Sequence, residues 1–137
     1  MMMTEPRDVV MTAFEALGRG EVMALGDLVA EDAVWEIMGG DGLLPGGARY
    51  EGRRAIVNDV LPLVPQFYDT STFDLQAENV FTDGPTVIVE FSLRATCTNG
   101  RVNNGARYVW IFRVEDGKIV SAREYIDSLK LSRLFFP

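Results

Sequence analysis

Histidine is absent from this sequence. Imidazole acid/base catalysis, Ser-His and Cys-His nucleophile pairs and every metal site that needs a histidine ligand are therefore excluded. Cysteine occurs once, at Cys97, so no internal disulfide can form. Its setting in an alternating, β-like stretch suggests a small buried hydrophobe; a reactive thiol would need an exposed, electropositive site instead. Basic residues are the minority, with 13 Lys and Arg against 20 Asp and Glu and a net charge of −7. That balance argues against binding a phosphate backbone, which needs clustered Lys and Arg, and reads as a solubility feature. No run approaches the roughly 18 consecutive apolar residues of a membrane span. Residues 1–8 lack the basic stretch and apolar run of a signal peptide. A cytoplasmic protein is expected, with neither nucleic acid nor membrane as partner.

What is present suffices for a core. Apolar residues make up 47% of 137 positions, enough for one domain spanning residues 1–137. Val9, Val10, Ala13, Phe14 and Leu17 recur at helical spacing and predict an amphipathic helix over 5–17, ended by Gly18-Arg19-Gly20. A shorter helix is expected over 21–30, with Val22, Leu25, Leu28 and Val29 inward. Residues 33–38 alternate as a strand, with Ala33, Trp35 and Ile37 on one face. The stretch 39–47 is glycine-rich and reads either as an ordinary surface loop or as a flap closing through Leu43 and Leu44. A third helix opens at Gly52-Arg53-Arg54-Ala55-Ile56, and Pro62 and Pro65 must kink or stop it.

The second half reads as strands. Residues 72–82 and 86–98 alternate on either side of Asp83-Gly84-Pro85, the latter with Val87, Val89, Phe91, Leu93, Ala95 and Cys97 on one face. A slip of one residue would turn Glu90, Ser92 and Arg94 inward instead. Asn99-Gly100 and Asp116-Gly117 are hairpin signals, because glycine relaxes the steric bar on positive φ. Between and after them lie strands over 108–114 and 118–127. Asn103, Asn104 and Arg107 border a turn and read as loop residues, and Asp127 as a cap or ion-pair residue past the last strand. Helices segregated in the first half and hairpins in the second predict an α+β fold, with a mostly antiparallel sheet curled around the helices. Such a cone, open at one end, is a ready pocket.

Three segments carry a family resemblance. They are Ala30-Glu31-Asp32-Ala33-Val34-Trp35-Glu36, Tyr50-Glu51-Gly52-Arg53-Arg54-Ala55-Ile56, and Phe112-Arg113-Val114-Glu115-Asp116-Gly117-Lys118-Ile119 continuing through Arg123-Glu124-Tyr125-Ile126-Asp127. In order and spacing the chain resembles the SnoaL-like branch of the nuclear transport factor 2 (NTF2-like) superfamily. The resemblance implies an NTF2-like cone, with a curved sheet around three N-terminal helices, and a homodimer formed through the outer face of the sheet. It does not fix the function, since the superfamily holds isomerases, epoxide hydrolases, cyclases, dehydratases and binding modules without catalysis. The base and oxyanion-hole positions of ketosteroid isomerases match Ile37, Ala13 and Trp110 here, none of which can do that work. Against limonene-epoxide hydrolases, only the final-strand acid survives, as Glu124; the partner positions fall on Phe91, Leu93, Trp35 and Ile37.

Strand parity places Glu124 on the face of Ala122 and Ile126, and Tyr108, Trp110 and Phe112 on one face of the neighbouring strand. By the family match these faces point inward. The expected pocket is apolar and aromatic, lined by Trp35, Ile37, Phe91, Trp110 and Phe112, with one carboxyl and one phenol. A carboxyl there is costly to ionise, so its pKa should rise and Glu124 could act as general acid or base, with Tyr108 orienting a substrate oxygen. The alternative is a Glu124 paired with Arg94 or Arg107 in a structural network. The expected function is cofactor-independent acid/base chemistry on an apolar small molecule: isomerisation, hydration or epoxide opening, or cyclisation. No metal or organic cofactor is expected. The competing reading is a catalytically silent binding or assembly module.

Overall fold

The computed structural model describes residues 5–44 and 47–137. Residues 1–4, part of the stretch judged against a signal peptide, lie outside the described residues, as do Pro45 and Gly46 of the glycine-rich loop.

Helix α1 (Pro6–Gly18) forms where the periodicity predicted it. Pro6 costs no hydrogen bond in the first turn, and Asp8 complements the positive end of the helix. Its buried stripe of Val9, Val10, Ala13, Phe14 and Leu17 packs on the concave face of the sheet. The expected helix over 21–30 is instead a 3₁₀ turn, Val22–Leu28, and strand β1 (Val29–Met38) begins earlier than its alternation suggested. The tighter winding runs only until Val29, which turns inward as a buried strand residue and fixes the chain onto the sheet.

Strand β2 (Arg49–Glu51) pairs with β1, setting Tyr50 opposite Trp35. Three residues are too few to show a period, and none was legible there. The third helix is broken, as its prolines required: α2 (Arg53–Ala55) passes through a wider π turn (Ile56–Val60), Pro62 caps the next piece, and α3 (Leu63–Phe67) follows.

Strands β3 (Asp74–Asp83), β4 (Thr86–Thr96), β5 (Val102–Glu115) and β6 (Lys118–Tyr125) form a meander. Strand β6 then lies parallel to β1, giving a six-stranded sheet in the order β2-β1-β6-β5-β4-β3. The Asp116-Gly117 turn has positive φ at both residues, 51° and 74°, the geometry that matches strand twist. The register of β4 is the one with Phe91 inward: Val87, Val89, Phe91, Leu93 and Ala95 are buried, and Glu90, Ser92 and Arg94 face outward.

Two further expectations are corrected. Asn103, Asn104 and Arg107 are strand residues of β5 and not loop residues. A bulge allows it: Leu93 faces Ala106 and Arg94 faces Asn104, so Gly105 is the extra residue, held at φ 94°. The bulge resets strand parity, so that Asn103 and Ala106 are both buried. Gly105→Ala meets open space and fails only through its backbone; a loss of about 1–2 kcal/mol in urea unfolding is expected. The last strand also stops at Tyr125, short of the expected 127. Asp127 does act as a cap, accepting from the Lys130 N–H at 3.1 Å, and it starts a further helix, α4 (Ser128–Phe135). Phe135 stacks on Phe67 with ring centres 4.4 Å apart, which packs α4 against the broken helix.

Candidate active site

Between the concave sheet, the broken helix and α4 lies a cavity of about 110 Å³. That volume exceeds what one water needs several-fold. Trp35, Ile37, Phe91 and Trp110 line it, together with Glu124 and Tyr108. Six of the seven residues expected at the pocket are thus brought together. Phe112 is not: fully buried, it lies behind the wall, stacked on Trp110 at 4.5 Å and edge-on to Trp35 at 5.2 Å. Parity put it on the correct face, but one row too far along the strand. Leu44 borders the cavity while Leu43 packs against the core, so the glycine-rich loop meets the site through one of the two side chains expected to close it.

Glu124 is set by the pairing of β6 with both neighbours, opposite Ile37 on β1 and Trp110 on β5. Trp110 Nε1 donates to Glu124 Oε2 at a long 3.5 Å. Trp35 Nε1 is buried without a hydrogen bond of good geometry, yet its N–H also holds the carboxyl's pKa down. Burial pushes the Glu124 pKa up, and the two indoles only partly offset it. Among the described residues no cation pairs with it. Arg94 points outward, and Arg107 joins Glu78 at 3.3 Å on the outer surface. The structural pairing is therefore overturned by strand parity. Glu124 keeps some accessible surface although protein encloses it, because that surface borders the cavity.

The Tyr108 hydroxyl is 3.2 Å from that of Tyr68, which in turn accepts from Asn103 Nδ2 at 2.9 Å. Burial, the neighbouring Tyr68 and the Glu124 charge all push the Tyr108 pKa well above the ordinary phenol value. Burial raises Tyr68 to about 12, although its hydrogen bonds with Tyr108 and Asn103 hold it down. Both phenols are protonated donors at neutral pH. Tyr68 and Asn103 were missed in the sequence. Tyr68 lies outside any periodic stretch, and Asn103 was hidden by the bulge; Asn104-Gly105 inside a strand was the available signal. Cys97 is buried and its pKa is raised by burial, as a small hydrophobe's would be. Among the described residues no group of acidic or thiol side chains is arranged to hold a metal ion. No helix among them is long and apolar enough to cross a membrane.

A curved sheet wrapped around helices, with a single acid inside an aromatic cavity, defines an α+β cone of the NTF2-like kind. The chain belongs to the SnoaL-like domain family, which matches residues 10–122. Solved structures agree in fold. An NTF2-like protein from Burkholderia thailandensis is 24% identical, covering 99% of this chain and 100% of its own, with a TM-score of 0.80. TerC, co-crystallised with polyporic acid, is 17% identical over 96% of this chain and 98% of its own, with a TM-score of 0.80. A ketosteroid isomerase-like fold from Catenulispora acidiphila, in complex with trimethylamine, is 15% identical over 93% and 91%, with a TM-score of 0.74. No relative is found among the curated proteins.

Proposed function

We propose that this chain is a SnoaL-like enzyme carrying out acid/base chemistry on an apolar small molecule. Glu124 is the acid/base and Tyr108 the orienting donor. One observation carries the reading: Glu124 borders an apolar cavity, with no cation beside it among the described residues. Its raised pKa favours the neutral acid, and the two indole N–H groups ease the charge of its conjugate base. One group can then give a proton and take it back. Tyr108, protonated at neutral pH, polarises a substrate oxygen while the proton moves. Small ligands in two proteins of similar fold, polyporic acid and trimethylamine, support a ligand-binding role for the cavity. Isomerisation, hydration or epoxide opening, and cyclisation all fit one acid/base group with one donor.

The test is a panel of small enolisable ketones and epoxides in D₂O, followed by NMR for deuterium uptake at carbon and for ring opening. The enzyme reading expects accelerated exchange or opening with the wild type and none with Glu124→Gln. Binding without either reaction would favour the second reading, a catalytically silent binding module. Missing isomerase and hydrolase partner groups at Ala13, Ile37 and Leu93 favour that alternative.

The protein is further proposed to be cytoplasmic and to dimerise through the outer face of the sheet. Half-buried Ile88 and Ile111 sit opposite one another there, beside Val109. Light scattering should report twice the chain mass for the wild type and a monomer for Ile111→Glu.

A further inference from the structure

The polar end of the cavity is unevenly equipped, and counting its protons shows how. Asn103 is fully buried on β5, and its amide orientation is fixed by the chain itself. The Ala106 N–H donates to Asn103 Oδ1 at 2.9 Å, which leaves Nδ2 to donate to Tyr68 Oη at 2.9 Å. Ala106 is placed for this by the bulge at Gly105. Tyr68 is held as firmly. It bridges Cys97, and the flanking Asp69 N–H and Thr98 N–H bond across to Thr96 and Phe67 at 2.9 Å each. The Tyr108 ring lies flat on Phe91, with ring centres 5.2 Å apart and 7° between planes.

Between the two phenols there is one hydrogen bond, of 3.2 Å, and there are two protons. One proton is left without an acceptor in the pair. A hydroxyl that accepts a bond becomes a better donor, so a chain running one way is favoured. Such a chain goes from Asn103 to Tyr68, from Tyr68 to Tyr108, and from Tyr108 into the cavity. Glu124, when protonated, is a donor on the same wall.

We infer that Asn103, Tyr68 and Tyr108 form a built donor site for one ligand oxygen. The ligand of the cavity is then an apolar molecule bearing a neutral acceptor such as a carbonyl, and not an amine. Tyr108 touches that oxygen, while Tyr68 and Asn103 are positioning residues that aim and strengthen its donor. This rests on the reading of the cavity as a ligand site.

Three probes of one shape separate the possibilities: cyclohexanone, methylenecyclohexane and cyclohexylamine. Binding is followed through Trp35 and Trp110 fluorescence, and the bound ketone through its infrared carbonyl stretch. Cyclohexanone should bind roughly tenfold more tightly than methylenecyclohexane, the ratio expected for one added hydrogen bond, and more tightly than the amine. Its stretch should shift to lower frequency on binding. Tyr68→Phe keeps the ring contacts to Phe73 and Phe135 and removes only the hydroxyl. It should roughly halve the carbonyl shift. The double variant Tyr68→Phe/Tyr108→Phe should bring the ketone-to-alkene ratio to within about twofold of unity. Should the double variant not fold, Tyr108→Phe alone must at least lower the ratio. Equal binding of ketone and alkene, tightest binding of the amine, or an unchanged stretch in Tyr68→Phe overturns the donor site and leaves the cavity a ligand site. Absence of binding by all three probes overturns both readings. Ketone binding with no deuterium exchange would instead sink the enzyme reading alone.

Discussion

Glu124→Gln is expected to reduce turnover by roughly 10²–10⁴-fold, the usual contribution of a positioned acid/base group, while making the folded protein more stable at neutral pH. Gln keeps an oxygen that accepts from the Trp110 N–H, so the wall of the cavity is preserved. It removes the titrating proton. Burial raises the native pKa of Glu124 above its ordinary 4.5, which means the native state holds that proton more tightly than the unfolded chain does. The associated stability is fully present below pH 4.5 and is lost as pH rises through the native pKa. Above that point the wild type carries a buried, unpaired carboxylate; the variant does not. The gap between variant and wild type should therefore open from pH 4.5 upward and then level off, as read by urea unfolding from pH 4 to 9. A variant less stable than wild type across this range would mean that Glu124 holds the fold together, and the loss of turnover would then say nothing about chemistry.

Most of the cone was legible because its strands alternate strictly. Val87 to Ala95 and Trp110 to Val114 bury one face and expose the other, and that period survives any uncertainty at the strand ends. Glu124 could be found the same way, from Ala122 and Ile126 on either side. What parity cannot convey is an interruption of itself. The Gly105 bulge moved Asn103 from the outer face to the core, and with it went one end of the hydrogen-bonded chain behind Tyr108. Nor does period reveal parts that are short or that pack only in three dimensions. Strand β2 has three residues, and α4 has one fully buried side chain, Leu131, so neither leaves a strong pattern. Both nevertheless shape the site: β2 extends the sheet beside Trp35, and α4 lines the cavity through Leu131 and Phe135. That no cation among the described residues pairs with Glu124 was open in the sequence because it depended on the registers of β4 and β5, which carry Arg94 and Arg107.

Trp110→Ala should cost about 3–5 kcal/mol, the usual range for removing a buried aromatic, and roughly 10–20 °C of thermal midpoint for a domain of this size. Trp110 is 1% exposed and stacks on Phe112, and it meets Phe14 and Phe91 edge-on at 5.8 and 5.2 Å. It therefore joins α1 to β4 and β5 as well as walling the cavity. Against a total stability of about 5–15 kcal/mol, such a loss comes close to unfolding the protein, so the alanine variant measures the core and cannot measure the site. Trp110→Phe separates the two roles. It keeps most of the ring contacts and removes the N–H that donates to Glu124. Losing that donor removes the largest influence opposing burial, so the Glu124 pKa should climb further. The pH at which proton-transfer activity changes should then move in the alkaline direction while the fold is retained, as followed by the exchange rate across pH. A profile that stays in place would mean the long Trp110 contact is too weak to tune the acid.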